Sequence, residues 1–280
     1  MSHPARGIAL MTAAMLCIPI ADGIAKHLTA GYQPLFLGWA SYAASAVIVL
    51  PVAALRHRRA LLPAGGRLWH GLRTAFLVTA MSFYFLAIAR IPLATAVSTY
   101  FVGPILAVGL SAVLLGERLT WRKGISLALG FAGSLVILRP GGEISPGMLL
   151  ALASGVMFGF YLIASRKAAG HGEPLQALAF QYLVGTILLT PQAVATWTTP
   201  QPADLVLIGA MGLVSAVSHM MSIAAFRLAE ASTLSPLVYL ELLGATVIGY
   251  VAFHEIPDGM TMAGAGCIVL AGLILLRRRA

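Results

Sequence analysis

From Leu93 to Leu115 the chain runs for 23 residues without a single charged side chain. A helix of roughly 20 apolar residues crosses the hydrocarbon core of a bilayer. Nine more runs of the same character follow when the sequence is cut at charges, prolines and glycine turns. The ten expected spans are 7–29, 34–55, 68–90, 93–115, 122–138, 146–168, 174–196, 203–228, 232–253 and 259–276. Continuous apolar runs predict helices, because barrel strands would be about half as long and alternate in polarity. Charged residues make up only 10% of the 280, too few to coat a water-facing surface. The expected fold class is therefore an all-α integral membrane protein with ten transmembrane helices.

The net charge of +9 comes from short basic clusters between the runs. That distribution sets topology and is no nucleic-acid footprint. With the N-terminus inside, inner segments hold Arg6, Arg56, Arg58, Arg59, Arg67, Arg73, Arg118, Arg122, Lys123, Arg166, Lys167, Arg227, Arg277, Arg278 and Arg279. The outer segments hold Lys26, Arg90 and Arg139, which completes the 18 basic residues. Both termini are expected on the cytoplasmic side. The basic Arg6 and the apolar stretch after it read as a first transmembrane helix rather than a cleaved signal. Cys17 and Cys267 lie inside apolar runs without metal-ligand spacing and read as small packed hydrophobes.

The chain also repeats itself. With a shift of 140, Gly7 meets Gly147, Lys26 meets Arg166, Pro34 meets Pro174, Tyr42 meets Tyr182 and Pro51 meets Pro191. With a shift of 138, Ala87 meets Ala225 and Glu117 meets Glu255. Each half, 1–140 and 141–280, then holds five spans. Five is odd, so the second copy enters the membrane from the opposite side. Inverted repeats of this kind place a site near the midplane that two mirrored packings open to either side in turn.

In each copy a glycine-rich helix follows a Glu-containing loop, at "LLGERLTWRKG" and at "AFHEIPDGMTMAG". Together with "AIARIPLATAVSTYFVGPILA" at 87–107, these segments resemble the drug/metabolite transporter superfamily in its EamA-type branch. The similarity runs along nearly the whole chain. Within the branch, the sequence looks most like YddG-type exporters of aromatic and other hydrophobic amino acids. Two positions depart from the family pattern. Ser41 and Gln181 stand where many members carry Arg, and the fourth helices read Gly103-Pro104 and Glu241-Leu242 in place of a repeated Glu-Pro.

The resemblance implies a bacterial inner-membrane, multi-pass transporter without a cofactor. Its partners would be a small-molecule substrate and membrane lipid, with no nucleic acid, and it would work as a monomer or homodimer. Its cavity would lie among the first, third, fourth, sixth, eighth and ninth spans, with help from the second and seventh. Polar and aromatic residues at mid-depth are the candidates to line it. They are Trp39, Tyr42, Ser82, Tyr84, Ser98, Thr99, Tyr100, Tyr161, Gln181, Ser218, His219, Ser222, Tyr239 and Glu241.

Each candidate has a plainer alternative. Ser and Thr bond to their own helix backbone, and His219 can join two helices by a hydrogen bond. Trp69, Trp121 and Trp197 sit at span ends as interfacial anchors. Asp22 lies four residues before Lys26, on one helix face, where an ion pair forms readily; it is also a second candidate for coupling. Glu117, Glu255 and Asp258 read as caps or partners of nearby basic groups.

Glu241 lies within the apolar stretch 235–253. An ionised acid at the bilayer centre costs about 2.5–3.5 kcal/mol on insertion scales. Glu241 therefore binds a substrate ammonium, carries a proton, gates the path, or locks one helix to another as a hydrogen-bonded acid. No Lys or Arg is expected at mid-depth, which favours a neutral, zwitterionic or cationic cargo over phosphate. The sequence has no HExxH, GxSxG or Walker A motif, so neither enzyme chemistry nor ATP-driven transport is expected. Gly103-Pro104 and Ser235-Pro236 are the expected flexing points, because proline removes a backbone bond.

Overall fold

The computed structural model describes residues 3–57, 63, 65–115, 120–138, 145–168, 171–228, 237–238 and 240–276. Glu117, the Ser235-Pro236 pair and Tyr239 lie outside them. The described residues form eleven α-helices and no strand. These are α1 (His3–Leu28), α2 (Pro34–His57), α3 (Arg67–Ile88), α4 (Leu93–Tyr100), α5 (Val102–Leu115) and α6 (Trp121–Leu138). They continue with α7 (Pro146–Ala168), α8 (Pro174–Ala195), α9 (Asp204–Leu228), α10 (Leu240–Phe253) and α11 (Gly259–Leu276).

Among the described residues, six helices are long and apolar enough to cross a membrane: those within α1, α2, α3, α7, α8 and α9. The remaining four expected spans hold shorter apolar helices, at Leu93–Ala107, Gly124–Gly133, Leu240–Phe253 and Gly259–Ala271. The span 93–115 is interrupted. Its helix stops at Tyr100 and restarts at Val102, with Phe101 between at ψ near 0°. Pro104 explains the break: it has no N–H for the Tyr100 carbonyl four residues earlier, and its ring crowds that carbonyl. In the span 232–253, α10 begins only at Leu240. The restarted helices α5 and α10 both have 14 residues and begin 138 positions apart.

Helix pairing follows a pattern. α3 packs on α7 and α1 on α9; α4 and α5 pack on α7 and α10 on α1; α3 packs on α8 and α2 on α9. The pairs α2–α8 and α6–α11 complete the bundle. Exchanging the two halves of the chain turns this set of pairs into itself. The turns show how the helices run. At one end Lys26 of α1 reaches the carbonyls of Ile88 and Ile91, and the start of α7 at Gly147 abuts Arg90 and Ile91. So α1 ends where α7 begins. At the other end the segment joining α2 to α3 meets the segment joining α7 to α8, through Gly66 against His171 and Pro63 against Gly172.

Small residues let the helices approach closely, as membrane packing without a hydrophobic drive requires. A Cβ at Gly155 would lie 2.6 Å from the Tyr100 carbonyl oxygen, and one at Gly103 would lie 2.5 Å from that of Gly155. The broken helix α4–α5 is thus held directly against the backbone of α7. The largest apolar cluster, including Phe36, Phe85, Phe101 and Met211, packs around this junction from α1, α2, α3, α4 and α9.

Candidate functional site

Two charged groups lie inside the bundle at different depths of α3. Near one end of that helix, the Tyr84 hydroxyl donates to Asp22 Oδ2 of α1 at 2.9 Å. Asp22 is 7% exposed, and so is Glu241. Glu241 stands in the first turn of α10 rather than in mid-helix, because that helix starts at Leu240. The partial positive charge of a helix N-terminus favours a carboxylate there. Asp22, Glu241, Tyr84 and Tyr100 act on one another electrostatically. Four elements, α1, α3, α4 and α10, therefore converge on an acidic end.

The expected pairing of Asp22 with Lys26 is not what forms. Lys26 Nζ lies 2.8 Å from Glu255 Oε1 and donates to the carbonyls of Ile91 at 2.7 Å and Ile88 at 3.2 Å. The long lysine stem reaches the loop carbonyls at the helix end, and the short Asp22 side chain faces inward to Tyr84. Glu255 does pair with a basic group, and its Oε2 also accepts the Leu93 N–H at 2.9 Å, capping α4. Asp258 caps α11 through the Thr261 N–H at 2.8 Å.

Toward the other end, Arg73 is six residues inside α3, about 9 Å from its start. It is 6% exposed. The expectation of no Lys or Arg at mid-depth overlooked this buried cation. The charge count grouped Arg73 with the loop arginines that precede it, although the expected span 68–90, like α3 from Arg67, already contains it. The Arg73 Nη2 donates to Gln181 Oε1 at 2.5 Å, and its guanidinium lies over the Tyr161 ring at 5.9 Å. Gln181 is fully buried. Tyr42 and Tyr182 meet edge to face, with ring centroids 5.3 Å apart, and both feel the Arg73 charge.

Arg73 and Tyr84 are eleven residues apart, which puts them on one face of α3, about 20° from alignment and about 16 Å along its axis. Aromatic rings fill the interval. Tyr84 faces Tyr100 at 5.5 Å, Tyr100 faces Phe158 at 4.6 Å, and Phe158 stacks on Tyr161 at 5.3 Å. Tyr161 then carries the Arg73 guanidinium. Sequence reasoning missed Phe158 as well as Arg73. Its signal was available: Phe158 and Tyr161 are three residues apart and so share a face of α7.

The other candidates are distributed differently. Thr99 bonds to the Thr95 carbonyl and Ser218 to that of Val214, each within its own helix. Ser82 bonds to the Val78 carbonyl and to Gln192 Oε1. Ser98 is fully buried and its hydroxyl has no partner among the described residues. His219 Nδ1 lies 2.8 Å from the Ser215 carbonyl and 3.2 Å from the Tyr182 hydroxyl, joining α9 to α8. Ser222 has only a 3.8 Å contact to the Met11 sulfur. Trp39 sits away from the ring file, against Phe36 and Trp197, with its Nε1 donating to Thr190. Among the described residues, no group of three His, Cys, Asp or Glu could hold a metal ion.

Residues 5–139 and again 145–277 match the family described as EamA-like transporters. The chain is 24% identical over 271 residues to the S-adenosylmethionine uptake transporter of Rickettsia prowazekii (strain Madrid E), covering 96% of this chain and 92% of that one. It is 25% identical over 275 residues to a riboflavin transporter of Vibrio cholerae, with the same coverage. A probable terminal-alkyne amino-acid exporter of Streptantibioticus cattleyicolor is 30% identical over 202 residues, 68% of this chain and 66% of that protein. A crystal structure with 23% sequence identity superposes with a TM-score of 0.71 over 96% of both chains.

Proposed function

This chain belongs to the EamA-like transporter family, and on that premise we propose that it moves small amphipathic zwitterions, foremost aromatic or other hydrophobic amino acids, out of the cell. The coarser conclusion, a multi-pass bacterial membrane transporter, rests on the family match and the six membrane-length helices. The observation that carries the finer reading is the file of rings from Tyr84 to Tyr161, with carboxylates at one end and a guanidinium at the other. An apolar or aromatic side chain finds ring faces there, an ammonium finds Asp22 and Glu241, and a carboxylate finds Arg73.

Transport proceeds by alternating access between two inverted five-helix repeats, 1–140 and 141–280, in the inner membrane with both termini cytoplasmic. Three observations support the repeat: the family matches twice, the helix pairs exchange into one another, and α5 and α10 restart at equivalent positions. Discontinuous helices facing a midplane site are the usual construction of such transporters. The Lys26–Glu255 pair ties α1 to the turn before α11, and through Ile88 and Ile91 to the turn before α4. It holds one end of the bundle closed, and opening of that end breaks it.

The names of the relatives support a second cargo class. The relative from Rickettsia is named for uptake of S-adenosylmethionine, whose sulfonium and ammonium suit Asp22 and Glu241 and whose carboxylate suits Arg73. Flux of labelled L-phenylalanine, S-adenosylmethionine and riboflavin into and out of proteoliposomes separates the readings. Saturable phenylalanine flux supports the first and S-adenosylmethionine flux the second. Riboflavin flux without either zwitterion removes both.

A further inference from the structure

The sequence and the family resemblance left Arg73 without a role, and the structure leaves it without a counterion. Six acidic residues lie among the described ones, and all six interact elsewhere. Asp22 accepts from Tyr84 and acts electrostatically on Glu241; Asp204 accepts from Tyr32; Glu255 pairs with Lys26; Glu173 and Asp258 cap helices. Among the described residues no carboxylate lies within 4.0 Å of the Arg73 guanidinium. Burying a cation this deeply without an opposite charge is costly unless something compensates it.

Two donors at this place have no acceptor. Among the described residues, Arg73 Nε and Gln181 Nε2 are both buried without a partner, although the two side chains are bonded to each other through Nη2 and Oε1. Their spare N–H groups therefore belong to one patch. Arginine presents its donors in a planar fork that matches a carboxylate. The Tyr161 ring holds the guanidinium plane from one face by cation–π attraction. Tyr42, Tyr182 and His219 feel its charge from α2, α8 and α9.

We propose that Arg73 and Gln181 form a carboxylate-binding subsite at the basic end of the ring file. Gln181 positions the guanidinium through its carbonyl and adds its own amide N–H to the bound carboxylate. The inference deepens the transport reading and rests on it for the origin of the carboxylate. A single amino acid is too short to touch Arg73 and Asp22 at once, given about 16 Å between their levels on α3. It meets the two ends in succession, while an elongated substrate bridges them.

Binding to the full chain in a neutral detergent tests the subsite without requiring flux. The probe is 3-phenylpropanoate, with 3-phenylpropanamide and sodium chloride as comparisons, read by thermal unfolding. The acid is expected to raise the wild-type unfolding midpoint, and the amide and chloride are not. Arg73→Gln should weaken the apparent affinity for the acid at least ten-fold, and Arg73→Lys should retain part of it. Gln181→Glu supplies an internal carboxylate, so this variant should unfold at a higher temperature than wild type and ignore the acid. It also keeps the test decisive if Arg73→Gln fails to fold. An equal response to acid and amide, an equal response to chloride, or an undiminished acid response in Gln181→Glu overturns the subsite. Acid binding that persists in a protein with no zwitterion flux leaves the subsite standing and removes the transport reading.

Discussion

The acidic and basic ends of the ring file are built by different means. At the acidic end the charged groups come from two helices, α1 and α10, and the Tyr84 hydroxyl answers one of them. At the basic end a single guanidinium comes from α3, and a neutral amide answers it. One end holds two buried carboxyl groups that act on each other electrostatically, and the other holds one guanidinium with donors to spare. Inside a membrane both arrangements are expensive, and both become favourable when an ammonium or a carboxylate arrives. The difference also tracks the repeat. Glu241 stands at the start of α10 where Gly103 stands at the start of α5, so the acid is present in one copy only. In the other copy, that place is taken by the close approach of Gly103 to the Gly155 backbone.

This contrast breaks first at the junction between the ends. Gly155→Val puts side-chain atoms where a bare Cβ would already lie 2.6 Å from the Tyr100 carbonyl oxygen and from Val102 Cγ1. Overpacking of that kind costs about 1–3 kcal/mol. The variant should unfold at a lower temperature and lose nearly all flux, whichever substrate is offered. Next in size is the acidic end. Asp22→Asn and Glu241→Gln should each reduce zwitterion flux by about ten-fold or more, the scale of a lost charged hydrogen bond. Because the two acids share one site, the double variant should lose much less than the product of the two singles. Strictly multiplicative losses in a double-mutant cycle would separate them into independent roles. Tyr84→Phe removes one hydrogen bond to Asp22 and should lower flux by about three- to ten-fold. Trp39→Phe lies outside the file and should leave flux within about two-fold of wild type. A larger loss there would move the site toward the Phe36–Trp197 cluster.

Much of this architecture was legible in the sequence. The expected span 146–168 coincides with α7, and 34–55, 174–196 and 259–276 fall within two residues of their helices. Apolar runs bounded by proline and charge fix these limits physically. The break at Phe101 was foreshadowed by Gly103-Pro104. The acidic end was half legible: Tyr84, Tyr100, Asp22 and Glu241 were all named, but Asp22 was assigned to Lys26. A shared helix face permits that pair, yet the tertiary structure offers Lys26 two carbonyls and Glu255 instead. The basic end was hidden for a different reason. Arg73 follows a run of inner-loop arginines, and nothing local distinguishes the one arginine that α3 carries inward. Only the packing of α3 against α7 and α8 shows that it meets Tyr161 and Gln181.

The central claim is that the two ends of the file recognise the two charged groups of the substrate in succession, the acidic end its ammonium and the basic end its carboxylate. Proteoliposome flux of labelled L-phenylalanine, competed by 2-phenylethylamine or by 3-phenylpropanoate, tests it most directly in wild type, Arg73→Gln and Asp22→Asn. The account predicts that Arg73→Gln abolishes competition by the acid and spares competition by the amine, and that Asp22→Asn does the reverse. Both competitors losing effect equally in both variants would contradict it.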